Sequence, residues 1–556
     1  MSERVQRSLV LPTFAWLLLP LMLLLLTLPL GCHGSRILVF PIDGSHWVNM
    51  EVLVKELHGR SHQVTVIRQA DSWFVRERSP HYTSVTVNLG VTTLVQIREL
   101  VSILRAAHSS TRTMLSIMLE DWALMTQLKD SSFDVMVTDP GMPAGIILAH
   151  YLNLTMVYNV RWMSFGEGHF SVAPSPISYV PVPGSGLTDN MGLLQRTQNL
   201  IHYIINLLQE RLLVLPIYSD LLDQHFPPGT NLLSLQQSAD IWLMRVDFVF
   251  EFPRPTMPNV VYIGGFQCRP AKPLPGELEA FMQSSGEQGV VVMSLGTLIS
   301  ALPKEVTEAV AAAFAQLPQK VVWRLMGKRP SSLGNNTLLL DWLPQNDLLG
   351  HPKTRAFVAH GGTNGVYEAI YHGVPVLGLP LLFDQQDNLV RLQAKGAAKV
   401  LDAATVTEWE FLEALQDILK NPSYQRNMKR LSSLHRDQPL HPLDRAVFWV
   451  EYVIRNKGAA HLRTEAYSMP WYSYYSLDVV ALLLTIPLGS VGALISFVRV
   501  LLKRRSKKTM PHLGNMKIEN SAKPESKRVE NIPQLYKNKT EKMSHADKKK
   551  TEKPRQ

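Results

Sequence analysis

Short apolar runs alternate with helical patterns along the first half of the chain. Each run is rich in branched or aromatic apolar residues and ends at a turn, which is typical of a buried strand in a parallel sheet. The segment 144–152, before the last run, has a helical pattern. The runs are 36–43, 63–69, 133–140 and 155–160. This alternation predicts a doubly wound parallel sheet.

The alternation restarts in the second half of the chain. A long helical pattern covers residues 190–225, and residues 252–275 then hold six prolines and two adjacent glycines, which predicts a domain boundary. A helix follows at 305–317. Strands are predicted at 289–295, 320–326, 337–343, 355–360, 374–380 and 397–402. We therefore expect an α/β protein with two domains facing a common cleft, and ligands beyond the carboxyl ends of the strands.

Both ends of the chain carry targeting patterns. Residues 1–34 combine a basic start, an apolar stretch and small residues, as a secretory signal does; an uncleaved anchor is the alternative. Residues 479–502 are long and apolar enough to cross a bilayer, between the aromatic segment 471–476 and the basic segment 503–508. They predict a single-pass type I membrane protein with a lumenal globular part, although a buried soluble helix fits the apolar run alone.

Charge and cysteine content narrow the function classes. The net charge is +10, but residues 503–556 hold 17 Lys and Arg against 6 Asp and Glu, so the remainder carries −1 and does not indicate nucleic-acid binding. The two cysteines are Cys32 and Cys268, and signal cleavage would leave one of them, so no intramolecular disulfide is expected. The sequence shows no Cys/His metal spacing.

The turn after the first strand argues against a nicotinamide or flavin cofactor. Residues 41–50 contain one glycine and a histidine where a Gly-x-Gly-x-x-Gly fingerprint is needed, and the P-loop pattern is also absent from the sequence. A nucleotide-sugar needs an aromatic plane for its base, a carboxylate for its ribose and a glycine turn at a helix start for its diphosphate. Those residue types follow three successive strands: Trp342 and Gln345, then His360, Gly361, Gly362, Asn364, Gly365 and Glu368, then Asp384 and Gln385.

The segment 341–388 closely resembles the signature of the UDP-glycosyltransferase family, in particular the membrane-bound vertebrate UDP-glucuronosyltransferases. The segments 40–47, 133–140, 264–275 and 294–297 and the terminal anchor follow in the family's order, and only the tail after about Ser506 lies outside the resemblance. The resemblance implies a GT-B fold of two Rossmann-like domains. The expected boundaries are a signal at 1–34, an acceptor domain at 35–265, a linker at 266–284, a UDP-sugar domain at 285–440, a return helix and juxtamembrane segment at 441–476, a transmembrane helix at 477–502 and a cytosolic tail at 503–556.

The same resemblance assigns roles to the donor-site residues. Trp342 stacks on the uracil, Gln345 contacts the uridine and Glu368 takes the ribose hydroxyls. The diphosphate lies among Ser294, His360, Gly362, Asn364 and Gly365, and the sugar hydroxyls bind Asp384 and Gln385. Leu382 and Phe383 stand where many relatives have Phe-Gly, so glucuronic acid, glucose, xylose, galactose and N-acetylglucosamine all remain candidate sugars. The alternatives are that Trp342 is a core residue and that Glu368 only complements the dipole of its helix.

Attack on an anomeric carbon needs a base near the acceptor hydroxyl. Histidine suits this role near neutral pH, and His46 follows the first strand. A carboxylate holds such a histidine in one tautomer, and Asp139 ends another strand of the same sheet. The resemblance gives His46 and Asp139 these roles; a structural histidine and a turn-capping Asp139 are the alternatives. The cleft segments lack an Asp-x-Asp pair, so we expect no catalytic metal.

We therefore expect an inverting transferase of the endoplasmic reticulum membrane. Its donor would be a UDP-sugar, with UDP-glucuronic acid as the family default, and its acceptor a small lipophilic molecule. A non-catalytic sugar-binding or regulatory subunit is the second hypothesis, and a partner role of the basic tail is the third. Asn335 and, less so, Asn153 are lumenal glycosylation candidates. The final residues 551–556 lack a dilysine retention pattern, and assembly into homo- or hetero-oligomers stays open.

Overall fold

This computed structural model describes residues 34–89, 100–161, 173–296 and 302–508 of the chain. The predicted signal, apart from its last residue, and the cytosolic tail beyond residue 508 therefore lie outside the described residues. The chain divides into two compact units, Met1–Met469 and Pro470–Gln556. Both sheets belong to the first unit.

The first sheet has seven strands, all parallel, in the order β3-β2-β1-β4-β5-β6-β7. The strands are β1 Arg36–Phe40, β2 Gln63–Gln69, β3 Thr83–Val87, β4 Val135–Thr138, β5 Met156–Val160, β6 Ile241–Met244 and β7 Val260–Tyr262. The four predicted strands are present. The other three, β3, β6 and β7, were not predicted, and β7 lies inside the segment 252–275 that was interpreted as a boundary alone.

Helices lie between these strands. They are α1 Ser45–Gly59, α2 Leu100–Glu120, α3 Trp122–Asp130, α4 Ala144–Tyr151, α5 Leu193–Gln209, α6 Leu215–His225 and α7 Leu232–Gln237. The helical pattern predicted over 190–225 is interrupted by a π-helical segment, Glu210–Val214, between α5 and α6. Pro216 has no N–H to give to the preceding turn, and a wider turn at this point accommodates that loss.

The second sheet has six parallel strands in the order β10-β9-β8-β11-β12-β13. The strands are β8 Val290–Ser294, β9 Lys320–Arg324, β10 Thr337–Leu340, β11 Thr354–Ala359, β12 Val376–Gly378 and β13 Ala398–Val400, all six at predicted positions. The helices are α8 Gly276–Gln283, α9 Lys304–Ala315, α10 Gln345–Leu349, α11 Thr363–His372, α12 Gln385–Ala394, α13 Glu408–Lys420 and α14 Pro422–Arg436. Helix α8 lies inside the expected linker 266–284, which is therefore partly helical.

Alternate strand residues pack on opposite faces of each sheet. In the first sheet Leu38 and Met136 pack on one face, and Val39 and Val137 on the other. The chain returns to the first sheet after α14, because helix α15, Pro442–Asn456, packs residues such as Val450 into the cluster that contains Val39. Two 3₁₀ turns, Ala460–Leu462 and Glu465–Tyr467, follow it.

The second unit contains the predicted membrane span. Its helices are α16 Trp471–Tyr474 and α17 Leu477–Lys508, with Pro487 inside α17. The stretch Leu477–Arg505 has a mean hydropathy of 2.2, and none of it is buried. Its length and composition fit a membrane span. By the same criteria, Leu193–His225 in the first unit is a weaker candidate, with a mean hydropathy of 1.3.

The strand order of each sheet indicates where a ligand would bind. The direction of winding reverses between β1 and β4 in the first sheet and between β8 and β11 in the second. Crevices beyond the carboxyl ends of strands at such reversals are the usual ligand sites of doubly wound sheets. The residues that follow β1, β4, β8 and β11 are therefore the ones to inspect.

Candidate active site

His46 and Asp139 meet at the winding reversal of the first sheet. Helix α1 begins at Ser45 after Gly44, which has a φ of 77° in the left-handed region that suits glycine. His46 thus lies in the first turn of α1, and Asp139 directly follows β4. His46 Nδ1 lies 2.7 Å from Asp139 Oδ2, and the Asp139 side chain is fully buried while that of His46 is 14% exposed.

Burial and charge keep this pair as a neutral imidazole and a carboxylate. Burial lowers the pKa of His46, and the attraction of Asp139 offsets only part of that effect. For Asp139, burial raises the pKa, but the contact with His46 and the charge of Arg245 outweigh it and leave the pKa below its usual value. A neutral His46 donates from Nδ1 to Asp139, so its Nε2 is the basic nitrogen.

Two buried arginines at the same edge were not predicted. Arg161 directly follows β5 and donates to Ser45 Oγ, and Arg245 directly follows β6. Arg245 Nη1 donates to Asn49 Oδ1 at 2.7 Å and to the His46 carbonyl at 3.3 Å. The Nε atom of Arg161 and the Nε and Nη2 atoms of Arg245 are buried and have no partner among the described residues. An arginine directly after a buried strand is a signal that sequence inspection can find, but β6 itself was not predicted.

His360 follows β11 at the winding reversal of the second sheet. Its ring fits only because two neighbours are glycines: a Cβ would lie 2.4 Å from His360 Nε2 at Gly362 and 2.6 Å from it at Gly296. Burial, and then the charge of Arg161, lower the pKa of His360 to about 4, so the ring is neutral. Its Nδ1 is buried without a partner in the described parts of the chain. Ser294, the last residue of β8, is buried on the other side of the reversal.

Helix α11 begins directly after His360 and its glycines. Its N-cap residue is Gly362, which has no side chain to accept from the first N–H groups, those of Thr363, Asn364 and Gly365. A Cβ at Gly365 would approach Phe357 Cε1 to 3.3 Å, so glycine allows the helix to pack closely on β11. N–H groups at an uncapped helix start suit a diphosphate.

The structure brings Gln345 and Glu368 together, and Trp342 lies three residues before Gln345. Strand β10 ends at Leu340, earlier than the predicted residue 343, so Trp342 lies in the loop after it. Trp342 is 59% exposed and is therefore not a core residue. The Arg324 guanidinium lies 5.4 Å from its ring centroid. Gln345 Nε2 donates to Glu368 Oε2 at 2.5 Å. Burial raises the pKa of Glu368 to about 7.

Asp384 is the N-cap residue of helix α12, and Gln385 is its first residue. Both side chains already make hydrogen bonds within the protein. Asp384 Oδ2 accepts from Thr363 Oγ1 at 2.9 Å and from the Asn388 amide at 2.8 Å. Gln385 Oε1 accepts from the backbone N–H groups of two loop residues at 2.8 and 3.0 Å, which leaves its amide NH₂ to other partners. Phe383 has a φ of 57°, in the left-handed region, where the resemblance leads one to expect glycine.

The two halves of the first unit touch at this site. Asn364 Nδ2 donates to the Ser45 carbonyl at 3.4 Å. Asp387 accepts from the backbone N–H groups of Gly184 and Gly186 at 2.7 and 2.9 Å. No local sequence pattern predicted the contact between Asp387 and the loop that contains Gly184 and Gly186. These contacts join the starts of α11 and α12, which carry Asn364 and Asp387, to the first half of the unit.

Metal binding finds little support in the described residues. They contain no group of three or more His, Cys, Asp or Glu side chains arranged to hold a metal ion. The absence of a catalytic metal stays a prediction. Cys268, the expected lone thiol, is buried and free.

Comparison with solved structures defines the class of fold. The calicheamicin glycosyltransferase CalG4 matches with a TM-score of 0.55 at 18% identity, covering 76% of this chain and 99% of that one. A UDP-glucosyltransferase from Polygonum tinctorium that is capable of glucosylating indoxyl matches with a TM-score of 0.54 at 15% identity, with the same coverage. Together with the two parallel sheets, these matches confirm the two-domain GT-B glycosyltransferase fold.

Sequence comparison defines the family. The family described as UDP-glucoronosyl and UDP-glucosyl transferase matches residues 35–510. UDP-glucuronosyltransferase 2C1 of Oryctolagus cuniculus is 44% identical over 470 residues, covering 80% of this chain and 93% of the relative. UDP-glucuronosyltransferase 2A2 of Mus musculus is 42% identical over 499 residues, covering 84% and 93%. The chain belongs to this family, and it is a glycosyltransferase that uses a UDP-sugar.

Proposed function

We propose that this chain transfers glucuronic acid from UDP-glucuronic acid to a hydroxyl of small lipophilic acceptors, with His46 as the general base. The observation that carries the proposal is the 2.7 Å contact between His46 and the buried Asp139 at the edge of the first sheet. Helix α11 of the second sheet contacts the first turn of α1, which contains that histidine. The proposed base therefore lies close to the helix start that would bind the diphosphate.

The arrangement supports direct displacement at the anomeric carbon. His46 Nε2 takes the proton of the acceptor hydroxyl, while the oxygen bonds to C1 and the C1–O bond to UDP breaks. Asp139 stabilises the imidazolium that forms and holds the ring by its Nδ1–H. One displacement inverts the centre, so an α-linked donor gives a β-linked product.

The second sheet receives the leaving UDP. The first N–H groups and dipole of α11 stabilise the charge that develops on the diphosphate. The pKa of His360 is about 4, so its neutral ring donates one hydrogen bond without adding a charge. Trp342 supplies an exposed aromatic face for the uracil, and Glu368 with Gln345 accepts from the ribose hydroxyls.

The buried arginines favour a donor sugar with a carboxylate. Asp384, a predicted sugar ligand, interacts electrostatically with both Arg161 and Arg245. Burial lowers the pKa of Arg245 to about 9, although the charges of Asp139 and Asp384 act in the opposite direction. A sugar carboxylate would pair with the unpartnered N–H groups, whereas the hydroxymethyl group of glucose would not.

A donor panel tests this proposal. The full chain is incubated with a simple phenol and UDP-glucuronic acid, UDP-glucose, UDP-xylose, UDP-galactose or UDP-N-acetylglucosamine. Product mass gives the sugar, and proton NMR gives the anomeric configuration. We expect the β-glucuronide to form fastest. An α-linked product contradicts direct displacement, and a faster reaction with UDP-glucose contradicts the assigned sugar.

The R245Q variant tests whether Arg245 recognises the sugar carboxylate or only supports the structure of the site. It should lose more rate with UDP-glucuronic acid than with UDP-glucose, by about tenfold for one charge-assisted hydrogen bond. The control is R76Q, at an exposed arginine, which should leave the ratio unchanged. Equal losses with both donors would show that Arg245 does not recognise the carboxylate.

We also propose that the chain is anchored in the endoplasmic reticulum membrane with its catalytic part in the lumen. The support is the signal pattern, the unburied apolar stretch Leu477–Arg505 and the basic residues that follow residue 502. Asn335 is exposed in the loop before β10, where a glycan would fit. Loss of a glycan-dependent mobility shift in N335Q would confirm lumenal exposure, and cleavage of the second unit's tail in sealed microsomes would confirm its cytosolic side.

A further inference from the structure

Three polar side chains form a buried cluster away from the residues that the sequence assigned to the site. Tyr367 lies in the middle of helix α11, Asp247 in the loop after β6, and His435 near the end of α14. Their exposed fractions are 1%, 9% and 4%. We name these three residues the buried cluster. It joins the helix that follows His360 to both the first sheet and the last helix of the second half.

Hydrogen bonds connect the members of the cluster directly. The Tyr367 hydroxyl accepts from the Asp247 backbone N–H at 2.7 Å and donates to Asp247 Oδ1, 3.2 Å away. His435 Nδ1 lies 2.6 Å from Asp247 Oδ2. Burial, and then the charge of Asp247, raise the pKa of Tyr367 well above its ordinary value, so the hydroxyl keeps its proton. The Asp247 carboxylate therefore joins α11 to α14.

Two adjacent glycines leave room for this cluster. A Cβ at Gly264 would lie 2.6 Å from the Tyr367 hydroxyl oxygen, and a Cβ at Gly265 would lie 2.4 Å from His435 Nε2. The sequence marked this glycine pair only as part of a domain boundary. The chain leaves the first sheet at these glycines, and it returns through α15 soon after His435. Both connections therefore pass the buried cluster.

The cluster holds α11 at a second point beside the proposed base. The first point is the start of α11, where the Asn364 amide donates to the carbonyl that precedes His46. Arg245 lies two residues before Asp247, and its guanidinium donates to the His46 carbonyl at 3.3 Å. A helix is a rigid element, so contacts at Asn364 and at Tyr367, one turn later, together fix where α11 lies relative to His46.

We propose that Tyr367, Asp247 and His435 are positioning residues that hold the diphosphate-binding helix α11 at the distance from His46 that sugar transfer requires. This inference rests on His46 as the base. All three side chains are buried, so they act through α11 and the loop after β6 and not by contact with a substrate. The proposed UDP contacts follow strands of the second sheet and would move together with α11. Loss of the cluster should therefore affect the rate more than UDP binding.

The Y367F variant tests the inference, because it removes the hydroxyl and keeps the ring. The full chain is assayed with a simple phenol and the most active UDP-sugar of the donor panel, well below the melting temperature of each variant. We expect kcat to fall by about 10- to 100-fold, as for a small misplacement of reacting groups, while the Kd for UDP stays within about twofold.

The matched control is Y371F, one turn further along the same helix. The Tyr371 ring centroid lies 6.4 Å from that of His435, and the guanidinium of Arg436 lies over the Tyr371 ring. This variant removes a hydroxyl beside the same histidine without touching the contact with Asp247. It should leave both kcat and the Kd for UDP unchanged.

A pair of variants at His435 separates positioning from folding. In H435N the amide can donate to Asp247 Oδ2 from close to the position of Nδ1, whereas H435A leaves that oxygen without this donor. H435A should lower kcat as Y367F does, and H435N should restore most of it. Equal loss of kcat in both variants would contradict a role of this hydrogen bond.

The remaining outcomes distinguish the inference from the base assignment. A lower melting temperature with an unchanged kcat in Y367F overturns the inference, because the cluster would then be structural only. Equal losses of kcat and UDP affinity also overturn it, since the cluster would then shape the donor site itself. Retained turnover in H46A overturns the base and the inference with it. An inactive H46A with an unchanged kcat in Y367F overturns the positioning role alone.

Discussion

Asn364 Nδ2 donates to the Ser45 carbonyl, 3.4 Å away, and so joins the first turns of α11 and α1. Each of these helices starts where its sheet reverses its winding. The N-terminal ends of both helices therefore meet at this contact, and the dipoles of two helix starts suit a bound anion. His46 lies next to Ser45 in that contact, which places the proposed base at the edge of the proposed diphosphate site.

The pH profile of D139N tests the role of Asp139. His46 acts only when neutral, so the rate rises with pH through the pKa of His46. Asp139 raises that pKa against the effect of burial, and its loss should move the acidic limb to lower pH. The maximal rate should also fall by about 10²–10⁴, because the ring loses its tautomer and orientation.

The pH of the acidic limb and the melting temperature are measured for each variant, and the two results are compared. D134N is the control, since Asp134 accepts from the Arg36 N–H at the start of β1, whereas His46 follows the other end of that strand. A lower melting temperature with an unmoved acidic limb would make Asp139 a structural residue only.

The G362A variant tests the diphosphate site. The new Cβ would lie 2.4 Å from His360 Nε2, so the ring or the start of α11 must shift. We expect UDP binding, measured by calorimetry, to weaken by more than about tenfold, as one lost charge-assisted hydrogen bond would cause. G276A is the control, because nothing lies within 4 Å of a Cβ there. Unchanged UDP affinity in G362A would place the diphosphate elsewhere.

The E368Q variant should have opposite effects on stability and donor binding. The pKa of Glu368 is about 7 in the folded protein against 4.5 as the ordinary value, so the cost of burying its charge is absent below pH 4.5 and complete above pH 7. Removing the charge should raise the free energy of unfolding at pH 8, by roughly 3 kcal/mol, and hardly at pH 4.5. The KM for the UDP-sugar should rise, because the ribose loses a carboxylate acceptor.

Melting curves at both pH values, with and without UDP, check this result. E413Q at an exposed carboxylate should show no such pH dependence. If E368Q destabilises the protein at pH 8, Glu368 forms a favourable ionised contact and its proposed environment is wrong.

The D387N variant tests the contact between the donor helix and the loop at 183–186. Asp387 accepts two N–H groups, from Gly184 and Gly186, and an asparagine has only one oxygen for them. One unmade buried bond costs about 1–3 kcal/mol, so the KM for the donor should rise by about tenfold with a smaller change in kcat. D437N, at an exposed site, is the control. A fall in kcat alone would argue against a positioning role.

Sequence patterns located the strands that carry the site. The runs ending near Phe40, Thr138, Ser294 and Ala359 are buried on both faces, and continuous apolar runs are the clearest strand signal in a parallel sheet. The resemblance then supplied roles for the residues behind them. The structure places His46 with Asp139 and His360 with its glycines, and the roles of these residues stay predictions.

The remaining features depend on tertiary contacts that have no local pattern. Strands β6 and β7 are only four and three residues long, and Arg245 follows one of them. The contact of Asp387 joins residues about two hundred positions apart. The sequence of α5 has a helical pattern, but only the buried Asn199 and Asn206 show that its apolar side faces outwards.

Turnover and UDP binding of H46A, measured on one preparation, test the central claim most directly. The proposal predicts that glucuronide formation falls by about 10²–10⁴, the usual worth of a general base. The Kd for UDP should stay within about twofold, because the diphosphate contacts belong to α11 and His360. Turnover within about tenfold of the unaltered chain would contradict His46 as the base.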